Sequence, residues 1–91
     1  MSQAACFLCG SESSLSDSDR RTRLIAVNCL TCGPYSLTPQ AWTADERQSL
    51  AAYVRHEYRL GRGSPTITEG NHRLLIRLGE RLRARKKGAG Q

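Results

Sequence analysis

This 91-residue chain has little with which to build a core: five aromatic residues, Phe7, Tyr35, Trp42, Tyr53 and Tyr58, and no long hydrophobic run. A chain of this length buries only ~60–65% of the surface its unfolded form exposes, so a covalent or metal staple is expected. No stretch approaches the roughly 20 apolar residues of a membrane-spanning helix, which argues against a membrane partner. The start, Met1-Ser2-Gln3-Ala4-Ala5, has neither the basic segment nor the apolar run of an export signal, so a cytoplasmic location is expected. Histidine occurs only at His56 and His72. There is no Gly-rich phosphate loop, no nucleophile motif and no paired-carboxylate site, so no enzymatic activity and no catalytic residue is expected. His56, beside Glu57, and His72, beside Asn71, read as surface helix residues.

The staple is present. Cys6-Phe7-Leu8-Cys9-Gly10 and Cys29-Leu30-Thr31-Cys32-Gly33 account for every cysteine. Each Cys-x-x-Cys turn aims two sulfurs at one point, and the following glycine closes the turn by adopting φ > 0. The 19 residues between Cys9 and Cys29 fall in the spacing range of four-cysteine zinc sites. Cys6, Cys9, Cys29 and Cys32 are therefore the expected ligands of one structural Zn2+ with no open coordination position. The alternatives are two disulfides, which a reducing compartment disfavours, and a thioredoxin-like redox pair, which needs one Cys-x-x-Cys at a helix start in a βαβ setting. Iron suits the same four sulfurs.

Charge is divided unevenly. Residues 1–45 carry three arginines against four carboxylates, a net −1, and residues 46–91 carry eleven basic residues against four carboxylates, a net +7. A field of that sign favours polyanions. Arginine outnumbers lysine twelve to two, which suits bidentate phosphate or carboxylate contacts.

Along the chain, the Ser- and Asp-rich segment 11–19 reads as a mobile loop. Thr22–Asn28 is rich in β-branched residues and reads as a strand leading into Cys29. Tyr35-Ser36-Leu37-Thr38 alternates and reads as its partner. Strand, cysteine turn, strand with the metal at one end is a zinc-ribbon hairpin. Thr38-Pro39 resembles a helix start and predicts a short turn over Gln40-Ala41-Trp42. Thr43-Ala44-Asp45-Glu46 is a capping-box pattern. It opens a helix to about Leu60 with Leu50, Ala51, Val54 and Tyr58 on its apolar stripe. Gly61–Pro65 is a linker, and Thr66-Ile67-Thr68 an extended pair ending in an N-cap. A last helix from about Glu69 carries Leu74, Leu75, Leu78 and Leu82 on one stripe, with Ile76 pointing away. The expected class is α+β, a small four-cysteine zinc ribbon followed by two helices. It forms one domain over 1–91: ribbon 5–38, helical part 39–82 and a basic, disordered tail 83–91.

The stretch from Cys6 to about Leu78 resembles a small zinc-binding domain of uncharacterised bacterial and phage mobile-element proteins. There, two Cys-x-x-Cys turns flank a hydrophobic strand, the second turn continues as Gly-x-Tyr, and two helices follow. The matching residues are Cys6, Cys9, Val27, Cys29, Cys32, Gly33, Tyr35, Leu37 and Thr38, then Leu50, Arg55 and Thr68. The resemblance implies the zinc ligands and names no partner. The paired cysteine turns are also similar, more weakly, to DksA/TraR-type zinc fingers.

The expected function is that of a zinc-stabilised nucleic-acid-binding accessory or regulatory protein. Phosphate contacts are expected from Arg73, Arg77, Arg81, Arg83, Arg85, Lys86 and Lys87, extended by Arg55 and Arg59. The competing reading is a protein-interaction or inhibitor module with no nucleic-acid role. The apolar stripes also leave a homodimer open.

Overall fold

The two cysteine turns are the ends of two β-hairpins laid side by side. The computed structural model describes residues 2–19, 21 and 23–89, with side chains over 5–16, 21 and 23–84. Strands β1 (Ser2–Ala5) and β2 (Glu12–Asp19) flank the first turn, and β3 (Leu24–Cys29) and β4 (Gly33–Leu37) the second. All three neighbouring pairs among these strands are antiparallel. Because Ser13 of β2 lies opposite Cys29 of β3, both turns fall at the same end of the sheet. Helix α1 (Ala44–Arg59) then crosses over, and β5 (Thr66–Ile67) joins β4 in parallel, with Leu37 opposite Ile67. Helix α2 (His72–Ala89) ends the described chain. The result is an α+β domain with a sheet ordered β1-β2-β3-β4-β5. No helix of the described residues is long and apolar enough to cross a membrane.

The expected hairpin of β3 and β4 is present, but the ribbon is wider than the reading allowed. Segment 11–19, expected as a mobile loop, is mostly β2, paired on both sides by β1 and β3. Serine and aspartate are poor strand formers in isolation. Here Ser13 is buried and Leu15 half-buried on alternate positions, and two ladders of backbone hydrogen bonds override propensity. Strand β1 carries no β-branched residue that would announce it.

The core lies between the sheet and the two helices. Tyr35, Leu37, Leu50, Val54 and Ile67 are its largest fully buried side chains. Each contributes ~1.5–3 kcal/mol relative to exposure. Helix α1 starts where its capping box places it. The Glu46 amide donates to Thr43 Oγ1 at 3.1 Å, and the Thr43 amide to Glu46 Oε1 at 2.9 Å. Leu60 is its C-cap. The short turn expected at Gln40-Ala41-Trp42 does not form. The Thr38 amide instead donates to the Ile67 carbonyl at 2.9 Å, extending the β4–β5 ladder. Tyr58, expected on the apolar stripe, is 59% exposed. Its ring lies beyond the core, over Gly33 of the second cysteine turn.

Helix α2 departs from expectation in start, phase and length. It begins at His72 because residues 69–71 form a turn. In that turn Asn71 Oδ1 accepts from the Thr68 amide at 2.7 Å, and Asn71 Nδ2 donates to the Thr66 carbonyl at 2.8 Å. Ile76 is in the core, 4% exposed, whereas Leu74 faces out at 59%. The rotation follows from Gly79, which is buried against the backbone of Ser49 on α1. Backbone residues 83–89, expected as a disordered tail, continue the helix. Arginine, alanine and lysine are good helix formers. Arg83 also ties the extension to α1, donating to Asp45 Oδ1 at 3.1 Å, Gln48 Oε1 at 3.1 Å and Ser49 Oγ at 2.9 Å.

Candidate metal centre and the adjoining groove

Each cysteine turn is shaped by its own backbone. In the first, the Gly10 amide donates to the Cys6 carbonyl at 3.0 Å and the Cys6 amide to the Ser11 carbonyl at 2.7 Å. Gly10 takes φ +79°, and Gly33 of the second turn φ +99°. Both values favour glycine. At Gly33 a Cβ would also lie 2.8 Å from the Tyr58 ring. The folded turns point amides at sulfur. Leu8 N lies 3.4 Å from Cys6 Sγ, and Thr31 N and Cys32 N lie 3.4 and 3.3 Å from Cys29 Sγ. The turns are joined directly, Thr31 Oγ1 donating to Ser11 Oγ at 3.2 Å.

All four sulfurs, of Cys6, Cys9, Cys29 and Cys32, lie within 4.8 Å of one another. A tetrahedral site with metal–sulfur bonds of ~2.3 Å needs sulfurs about 3.8 Å apart, so this cage fits one ion with little movement. Cys9 Sγ and Cys29 Sγ are already 3.5 Å apart. Tyr35 is the second-layer residue. Its hydroxyl lies 3.0 Å from Cys6 Sγ, inside the core. The sequence marked Tyr35 as a strand residue and as part of the Gly-x-Tyr pattern, and its polar end is explained by the cage.

As free thiols the four share protons unevenly. Cys6 is lowered from 9.0 to about 4, chiefly by the hydrogen bond with the Cys32 thiol, against the opposing effect of burial and with help from Tyr35. Cys32 rises for the converse reason, and burial adds to it. At Cys9, burial pushes upward but is outweighed by the side chain and backbone of Ser11, so the thiol is lowered. Cys29 is raised, first by burial. Burial, then the Cys6 sulfur, raises the Tyr35 hydroxyl. The four sulfurs, with Leu8 N and the Tyr35 hydroxyl beside Cys6, would hold a cation as thiolates, and a bound metal would displace the remaining protons.

Beside the first turn lies a groove of about 1050 Å³ between residues 5–10, the outer face of α1 and one turn of α2. Ala51 and Ala52 give it a shallow apolar floor, Phe7 lines it on the side of the cysteine turn, and Arg47, Arg55 and Arg59 come from α1. Among the described residues no carboxylate lines it. The Nε of Arg55 is buried and has no hydrogen-bond partner among the described residues.

The other expected phosphate contacts are scattered. Arg55 and Arg59 line the groove. Arg73 is bound to Glu46 at 2.6 Å, and Arg83, at the groove's far end, is held by Asp45. Arg77 and Arg81 are exposed on α2. The side chains of Arg85, Lys86 and Lys87 lie outside the described ones. Arg47, His56 and Phe7 also line the groove and are not among the expected contacts. The spacing Arg47, Arg55, Arg59, at i, i+8 and i+12 on one helical face, was the available signal for the arginine. His72 is less free than expected, since Trp42 Nε1 donates to its Nδ1 at 2.9 Å.

The fold and the cage define a small α+β protein with four cysteines placed to hold one metal ion, an arrangement compatible with a zinc ribbon. No protein-family model, no curated protein and no solved structure matches the chain. The likeness to mobile-element domains and to DksA/TraR-type fingers therefore stands on the sequence pattern alone.

Proposed function

We propose that this protein is a zinc-stapled, non-catalytic nucleic-acid-binding module with an accessory or regulatory role. One observation carries the reading: Arg47, Arg55 and Arg59 line a groove that holds no carboxylate among the described residues. None of the three side chains makes a hydrogen bond or ion pair with a described residue. These three arginines of α1 thus face the groove with their charge unpaired among the described residues, whereas Arg73 and Arg83 are partly neutralised by Glu46 and Asp45. A metal held by four thiolates has no open position for water, which supports a structural role for the ion. Zinc is the metal that four thiolates in a closed tetrahedral cage suit best.

The test is a salt titration of binding to a labelled oligonucleotide. About three phosphate contacts predict a log–log slope near −2 for a single strand. Affinity that stays flat as salt rises would remove the phosphate reading.

A second reading, protein interaction, is favoured by Leu30, 88% exposed in the second cysteine turn. It predicts that a stoichiometric protein partner survives nuclease treatment during purification, and that Leu30→Ser releases it.

A further inference from the structure

The groove holds more than charge. Ala51, Ala52 and Leu82 line it from the two helices, and Phe7 lines it from the first cysteine turn. Phe7 is half-buried: it packs against the core and also lines the groove. It is the middle of a metal-held turn, Cys6-Phe7-Leu8-Cys9, so the ring is carried on a rigid support. Opposite it, Arg47, Arg55 and Arg59 span twelve residues of α1, about 18 Å along the helix axis.

We propose that this groove binds single-stranded rather than duplex nucleic acid, with backbone phosphates over Arg47, Arg55 and Arg59 and an unstacked base against Phe7. The inference rests on the nucleic-acid reading above and specifies it. A duplex presents phosphates, but its bases are stacked inside, and only their edges reach the grooves. It has no base face to offer Phe7 or the alanine floor. A single strand exposes both a charged backbone and apolar base faces, the combination that a cationic groove with an aromatic platform selects. An acidic protein segment would match the arginines but leaves the ring without a flat partner. Stacking tolerates any base and either sugar, so DNA and RNA strands are equivalent here. His56, on the same face, adds a donor to the rim.

The experiment is fluorescence anisotropy of the intact, zinc-loaded chain with labelled twelve-nucleotide DNA and RNA strands and a twelve-base-pair DNA duplex, compared at matched salt concentrations across a salt series. Expected: both strands bind at least about tenfold tighter than the duplex. Phe7→Ala weakens strand binding on the order of 5- to 100-fold and leaves duplex binding unchanged. Arg55→Ala lowers the salt slope by about 0.7. Phe7→Leu, which keeps an apolar side chain in the turn but removes the flat face, repeats the loss with zinc content unchanged. If the duplex binds as well as the strands, or if both Phe7 variants bind strands like the parent, the single-strand assignment is overturned while nucleic-acid binding stands. If none of the three oligonucleotides binds at low salt, both readings fall.

Discussion

Gly79 of α2 lies directly on the backbone of Ser49 of α1. A Cβ built on Gly79 would overlap the Ser49 carbonyl and sit 3.1 Å from the Ser49 Cα. The helices cross at this point, and no side chain fits between them. The obstacle is backbone, so it cannot rotate aside. Gly79→Ala should therefore destabilise the domain by ~1–3 kcal/mol, the usual cost of overpacking. Thermal melting of the zinc-loaded protein checks it. Gly70→Ala is the control, because its Cβ would meet only Thr68 Oγ1, at 3.8 Å.

The cage predicts one equivalent of metal per chain, bound through Cys6, Cys9, Cys29 and Cys32. A structural zinc ion can contribute ~10–16 kcal/mol in small peptides near neutral pH. Strong chelation should unfold the β1–β4 end and abolish the near-UV circular dichroism of Tyr35. Because the ligands must be deprotonated, occupancy should fall as pH is lowered. Elemental analysis after dialysis with chelator reads the stoichiometry, and a spectrum unchanged after complete metal removal would refute a folding role.

Tyr35→Phe keeps the packing and deletes only the hydroxyl 3.0 Å from Cys6 Sγ. Loss of such an outer contact typically lowers metal affinity 10- to 100-fold. A competition titration against a chromophoric chelator should show that drop, with melting of the metal-saturated protein little changed.

Glu46 joins the two helices at one point, accepting from the Thr43 amide and from Arg73. Its carboxyl is lowered below 4.5, first by the Thr43 backbone and then by Arg73. A lowered folded-state value means the carboxylate's contribution is complete above the unfolded value of about 4.5. It is lost as pH falls through the lower folded value. Glu46→Gln should therefore melt earlier than the parent at neutral pH, and the gap should close below pH 4.5. A gap that persists unchanged in acid would assign the effect to packing. Thr43→Ala, which removes the cap's side chain, should cost ~1 kcal/mol at any pH where α1 is folded.

The metal ligands were readable in the sequence because a Cys-x-x-Cys-Gly turn is local: its geometry depends on five consecutive residues. The start of α1 was readable for the same reason, since the Thr43–Glu46 capping box spans a single turn. Strand β2 was not, because Ser and Asp carry no strand preference of their own. They became extended only between β1 and β3. The phase of α2 was misread because four leucines outweighed Ile76 in the pattern, while a glycine with no apolar side chain set the crossing.

Sequence alone thus determined the four-cysteine cage, the capped helix and the excess of positive charge after residue 45. Tertiary structure decided which charges remain unpaired. Arg73 and Arg83 are engaged across the helix pair by Glu46 and Asp45, residues 27 and 38 positions away in the chain. It also set Phe7 of one cysteine turn beside the arginine face of α1. The physical reason is range. Capping and cysteine turns act over a few residues, whereas charge pairing and groove formation depend on which distant surfaces the buried core brings together.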